Sequence, residues 1–214
     1  MDDSKKIDTN GFGFVDLDLP SGTLWATQNV GASKPYDFGL YFQWGDAKGY
    51  TKDQIGTGSG QKKFEYDYSD YKWYLSGSTE DDNIAFKKYK TTGATLDLED
   101  DAARNHMGGD WHMPSPAQIQ ELLVNTTNTW IAQDAVNGRL FTSKKDSSKS
   151  IFIPAVNEAW DGFVRGSGYY GGVLSSMLSK EYVDGVQVLD FGSGGVGLIH
   201  DERYRGYSVR GVIG

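Results

Sequence analysis

The sequence contains no cysteine. That one absence removes disulfides, thiolate nucleophiles, iron–sulfur clusters and cysteine-ligated zinc together, and it leaves the redox compartment unread. Histidine is scarce as well: His106, His112 and His200 are the only three, and none sits at metal-ligand spacing. Hydrogen bonding to nearby structure is the reading for His106 and His112. Cationic charge is in deficit, with 21 Lys and Arg against 29 Asp and Glu and a net charge of -8. A phosphate backbone or an anionic bilayer would be repelled, so neither nucleic acid nor membrane insertion is expected. No apolar run approaches the about 18 residues of a membrane span, and MDDSKKIDTNG lacks the apolar stretch of a signal peptide. Export would use another route or belong to a longer chain.

Aromatic residues and glycine are abundant: aromatics make up 14% of 214 residues, with 13 Tyr and 6 Trp, and there are 28 Gly. A chain of this length can bury roughly 70% of its unfolded surface. The rings exceed what such a core needs, so several are expected outside, where Tyr and Trp make good binding anchors. Trp25, Trp44 and Trp111 are assigned to the core.

Short strand-like runs bounded by Gly, Pro, Asn and Ser cover 13–19, 23–27, 40–44, 139–143, 150–154, 185–191 and 207–213. In the last, Tyr207 and Val209 alternate with Ser208 and Arg210, which predicts one buried face. Helix signals are fewer. Ser115-Pro116-Ala117-Gln118 forms a capping box with Pro at N1, followed by Ile119, Leu122 and Leu123 as an apolar stripe. A second helix is expected over 98–105, with Glu99, Asp100 and Asp101 as its solvated acidic first turn. Residues 50–95 read as long loops pinned to the body by their aromatics. A single domain over 1–214 is expected, with 1–11 as a flexible N-terminus.

Gly192-Ser193-Gly194-Gly195-Val196-Gly197 spells a dinucleotide fingerprint but lacks the following helix and the later acidic residue, so a hairpin turn is expected. The acidic run at 99–101 lacks the spacing of a calcium loop. No G-x-S-x-G elbow is present. No catalytic residue, cofactor or metal ligand is assigned, and the chain is not expected to be an enzyme.

Several stretches taken in order do carry a resemblance: VDLDLPSGTLWATQNVGA at 15–32, YFQWG at 41–45, DDAA at 100–103 and GGDWHMPS at 108–115. SIFIPA at 150–155, LSS at 174–176, LDF at 189–191 and GYSVR at 206–210 continue it. The chain resembles Bacteroidales C-type-lectin-like domains, a group similar to the variable proteins of diversity-generating retroelements and, in fold, to formylglycine-generating enzymes. The resemblance implies an α+β, C-type-lectin-like fold of small twisted antiparallel sheets with two helices and long loops. Two departures are Gly211, where the family has Pro, and Gln28, where it often has Cys. The motifs of calcium-dependent sugar binding are absent, and formylglycine-generating chemistry needs cysteines.

The resemblance further implies a ligand-binding, receptor-recognition protein on a phage tail, virion or bacterial surface, facing a protein or glycan on a cell. Its candidate variable region is 157–207. The ligand-binding candidates are Trp160, Asp161, Phe163, Val164, Arg165, Tyr169, Tyr170, Val183, Asp184, Leu198, Ile199, His200, Asp201 and Tyr204, expected to gather on one face. Adenine changes in Asn codons do not reach Trp or Glu, so Trp160, Glu158 and Glu202 would be scaffold, or these loops are ordinary loops. A structural fimbrial or tail-fibre module without its own ligand is the alternative.

Overall fold

A computed structural model describes residues 5–58, 61–62, 64–75 and 85–214. Three short strands open the chain, β1 (Lys5–Ile7), β2 (Gly13–Asp16) and β3 (Leu24–Ala26), followed by β4 (Thr57–Gly58) and β5 (Gln61–Lys62). Helices α1 (Ala102–Met107) and α2 (Pro116–Asn125) come next. The C-terminal half is β: β6 (Thr126–Gln133), β7 (Val136–Ser143), β8 (Ser150–Pro154), β9 (Ala159–Trp160), β10 (Phe163–Val164), β11 (Tyr170–Leu178), β12 (Gly185–Gly192), β13 (Gly195–Glu202) and β14 (Val212–Ile213). They form the sheets β1-β2-β3-β14, β6-β7-β8 and β11-β12-β13 and the hairpins β4-β5 and β9-β10. Every ladder is antiparallel. The described chain is thus a mixed α+β protein of small antiparallel sheets with two helices.

Helix α2 begins where its sequence signal lies. The Ser115 hydroxyl accepts the Gln118 amide N–H at 3.2 Å, the Gln118 side chain accepts the Ser115 N–H at 2.9 Å, and Ile119 and Leu122 are buried. Helix α1 starts later than the expected 98–105. Asp101 is its N-cap, accepting the Arg104 N–H at 2.9 Å and, with its other oxygen, the Met113 N–H at 2.8 Å. The acidic run is also not a solvated first turn. Asp100 and Asp101 are both buried, and Asp100 takes Lys72 at 2.8 Å and Lys88 at 2.6 Å. A carboxylate satisfied by two ammonium groups caps no helix, and this shifts the start by one turn.

Trp25, Trp44 and Trp111 are fully buried, as their setting in the sequence predicts. Trp25 packs with Ile119, Leu122 and Phe141, while Trp44 and Trp111 pack with Met107, Leu174 and Tyr207. The loops of 50–95 are pinned by their rings: Tyr71 donates its hydroxyl to the Trp44 carbonyl at 2.8 Å and Trp73 its indole N–H to that of Gly45 at 2.7 Å. Of the stretch 1–11 expected to be flexible, residues 1–4 lie outside the described residues. From Lys5 on, β1 pairs with β2, and the Trp111 indole donates to Asp8 at 2.6 Å.

The run 207–213 is not one ladder with one wet face. Tyr207 pairs with Phe42, Ser208 with Val173, and Val212 with His112 and Trp25, while the carbonyls of Val209 and Gly211 accept the N–H groups of Val30 and Ala26. Both faces are buried, Ser208 and Arg210 included. The segment is handed from one neighbour to the next through the centre of the molecule.

Candidate functional site

The hairpin β9-β10 turns through Asp161 and Gly162, both with positive φ (51° and 72°), the backbone of a two-residue turn whose twist matches its strands. Ala159 exchanges both backbone hydrogen bonds with Gly206, at 2.7 and 2.9 Å, so the buried C-terminal segment holds the hairpin. Two guanidinium groups lie over the Trp160 ring, Arg165 at 4.6 Å and Arg205 at 4.7 Å from its centroid. Each such contact contributes about 0.5–1 kcal/mol where exposed. Arg165 also lies 3.7 Å from Asp161. Beyond the hairpin, a turn at Gly166 leads to Tyr169 and Tyr170, whose N–H groups both bond the Gly166 carbonyl.

Arg205 is shared by three carboxylates: Glu158 at 3.0 Å, Asp201 at 3.4 Å and Glu202. The Tyr207 hydroxyl faces both Glu158, at 2.9 Å, and Asp201. A phenol carries one proton and can donate to one of them. Burial, aided by the charge of Glu158, raises the Asp201 carboxyl above its usual range, against the opposing bonds from Tyr207, the Glu202 N–H and Arg205. Burial and these two carboxylates also hold the Tyr207 phenol protonated far above the usual range. Beside this cluster is an open cleft of about 320 Å³, bounded by Tyr182, Asp184, His200, Asp201 and Glu202. His200 is within hydrogen-bonding distance of the Ser179 hydroxyl at 3.2 Å.

The sequence-assigned residues divide. Trp160, Asp161, Phe163, Val164 and Arg165 lie on or next to β9-β10, and Tyr169 and Tyr170 sit at the start of β11. Phe163, Tyr169 and Tyr170 are 61%, 73% and 55% exposed. Asp184, His200 and Asp201 border the cleft, which Arg205 joins to the Trp160 ring.

Tyr204 is not at the surface. It is buried in a cluster with Tyr71 and Phe86, its ring 4.0 Å from that of Tyr68, and Val183 packs against the same cluster. Nor do residues 198–201 share a face, because side chains alternate along a strand. Leu198 packs toward Ile119 and Leu122 with His200 on its side, while Ile199 and Asp201 point the other way. Tyr170 lies opposite Gly192 and Asp201 opposite Val186, which separates them by ~20 Å along β12.

Tyr182, 57% exposed at the cleft, was not assigned from sequence, although a Tyr among charges between two strand runs was a readable signal. The convergence of Glu158, Arg205 and Tyr207 had none, since pairing over such separations is set by topology. Asp97, Glu99 and Asp100 are close enough to hold a cation. They already surround the Lys88 ammonium, at 2.7, 2.9 and 2.6 Å. His106 meets the Ala47 carbonyl at 2.9 Å and His112 that of Met113 at 2.9 Å, the structural role expected of them. The Gly192–Gly197 run is the turn and opening of the β12-β13 hairpin. No known protein family, curated protein or solved structure matches this chain.

Proposed function

We propose that this is a binding protein of C-type-lectin-like type that recognises a protein or glycan on a cell surface, displayed outside the cell or on a virion. Its ligand surface is the band from Tyr169 and Tyr170 through Phe163, Arg165 and Trp160 to the cleft at Tyr182 and Asp184. One observation carries the reading. Among the described residues, the large aromatics that stand exposed are Phe163, Tyr169, Tyr170 and Tyr182, confined to one short stretch in a chain whose other rings are buried or half-buried. Exposed aromatics grouped on a rigid framework supply binding energy, and polar neighbours tune specificity. Among the described residues no helix is long and apolar enough to cross a membrane.

The resemblance to retroelement variable proteins suggests diversification of 157–207, which a reverse transcriptase gene beside a near-copy of the 3′ end of this gene would support. The direct test labels the protein and measures binding to a glycan array and to a panel of intact bacterial cells. Phe163→Ala and Tyr169→Ala are expected to cut binding at least tenfold while changing stability by less than about 0.5 kcal/mol. Tyr204→Ala is expected to cost about 3–5 kcal/mol of stability. Binding that survives both surface changes would remove these rings from the ligand surface.

A further inference from the structure

The two outer edges of the sheet β11-β12-β13 are treated differently. Along β11, the N–H groups of Gly172, Leu174, Ser176 and Leu178 bond the carbonyls of Val156, Ser208, Pro114 and Ala94, at 2.9 to 3.1 Å. That edge is closed by the chain itself. Along β13, no backbone partner beyond β12 meets residues 195–201 among the described residues. A bare edge is usually guarded by lysine, proline or a bulge. β13 reads GVGLIHDE, and its register with β12 runs unbroken from Gly185–Glu202 to Gly192–Gly195.

The groups that face outward follow from the hydrogen bonds at the end of the strand pair. The Gly185 carbonyl is taken by the Ser179 N–H at 2.8 Å and the Glu202 carbonyl by the Arg205 N–H at 3.1 Å. This opposed pair therefore turns its groups away from each other, and antiparallel alternation leaves Val196, Leu198 and His200 with N–H and C=O directed outward. A second β13 laid antiparallel, outward rung to outward rung, sets Leu198 opposite Leu198 of the other copy and Val196 opposite His200. It also sets Ile199 opposite Gly197 and Asp201 opposite Gly195. A Cβ built on Gly195 or Gly197 meets nothing within 4 Å. Ile199 and Asp201 of one copy thus each face an open glycine of the other, and no carboxylate meets a carboxylate.

We propose that β13 pairs with β13 of a second copy of this chain about a two-fold axis at Leu198, joining two three-stranded sheets into one continuous sheet. The pairing covers Ile199, which is 40% exposed. β6 also ends its sheet, but its eight residues, TTNTWIAQ, include no glycine, and the same pairing there sets side chain against side chain at every rung. The pairing does not rest on the ligand surface, although β13 carries His200 and Asp201, which border the cleft. Because each copy carries -8, salt relieves their repulsion and tightens the dimer, whereas a basic partner would be weakened by salt.

Sedimentation equilibrium over a concentration series, at low and high NaCl, tests this with wild type, Gly195→Asp and Gly195→Lys. Gly195 is open to solvent and has no positive φ, so both variants are expected to melt with the wild type. Gly195→Asp sets a carboxylate against Asp201 at two symmetric places and is expected to raise the dimer dissociation constant about tenfold. Gly195→Lys is expected to lower it at low salt. A protein that stays monomeric throughout, or a dimer indifferent to the charge at 195, would overturn the proposal.

Discussion

Arg210 is fully buried, and among the described residues no carboxylate pairs with it. Its guanidinium donates to the Asn29 side-chain oxygen at 3.0 Å and to the carbonyls of Ala26 and Phe152 at 3.1 and 3.0 Å, and burial pulls it below the usual arginine range. Neutral acceptors in a fork geometry hold the charge, and a lysine ammonium cannot reach all three. Arg210→Lys is expected to lower unfolding free energy by about 3 kcal/mol, read from urea denaturation; a loss under about 1 kcal/mol would contradict this account. Strand alternation alone assigns Arg210 to a wet face, because no local rule reports where three distant acceptors gather. Asp201 carries the opposite kind of cost. Its raised pKa means that the folded state keeps this proton to a higher pH than the unfolded chain, so its contribution is present at low pH and lost as pH rises through the folded value. Asp101 and Asp190 are raised as well, burial being the largest cause for both. Asp100 acts in the other direction: burial is outweighed by Lys72, Lys88 and Tyr89, its pKa is lowered, and its contribution is lost only below about pH 4. The thermal midpoint should therefore fall as pH rises from about 4 toward neutral. Asp201→Asn is expected to flatten that fall, and an unchanged slope would show that Asp201 does not titrate there.

At the scale of elements, legibility depended on how local the cause was. The start of α2 was readable because its capping box lies within four consecutive residues. Ser115→Ala removes that cap and is expected to cost about 1 kcal/mol, measurable as a lower urea midpoint with unchanged slope; no change would mean that burial of Ile119 and Leu122 alone sets the start of the helix. β11 was missed for a physical reason. Gly171 and Gly172 look like breakers, yet they sit inside the strand because rings lie against it. A Cβ at Gly171 would come 2.3 Å from the Phe191 ring, and one at Gly172 2.5 Å from that of Tyr207. β6 was missed because its residues are mainly polar. It is held by the full ladder to β7 through a turn at Asp134 and Ala135, both with positive φ. The surface rings were legible as a class, but the buried Tyr204 was not separable from Tyr169 or Tyr170 by type. Only the cluster with Tyr71 and Phe86, contributed by the distant 50–95 loops, decides it.

Across the whole molecule, residues 203–212 touch almost every other part. Arg203 donates to the Tyr71 hydroxyl at 2.8 Å and to the Tyr89 carbonyl at 2.9 Å. Tyr207 lies in the cluster of Trp44 and Trp111, and Val212 in that of Trp25. Such wide sequence separations make for slow closure, since loop entropy is lost before contacts return it. A ribosome delivers this chain from the other end. On the order of ten seconds pass between emergence of Trp25 and of Val212 at ordinary elongation rates, and through that interval the nascent polypeptide holds its aromatic seams open. The exit of residues 203–212 from the tunnel is therefore the step that releases the collapse of all that preceded them.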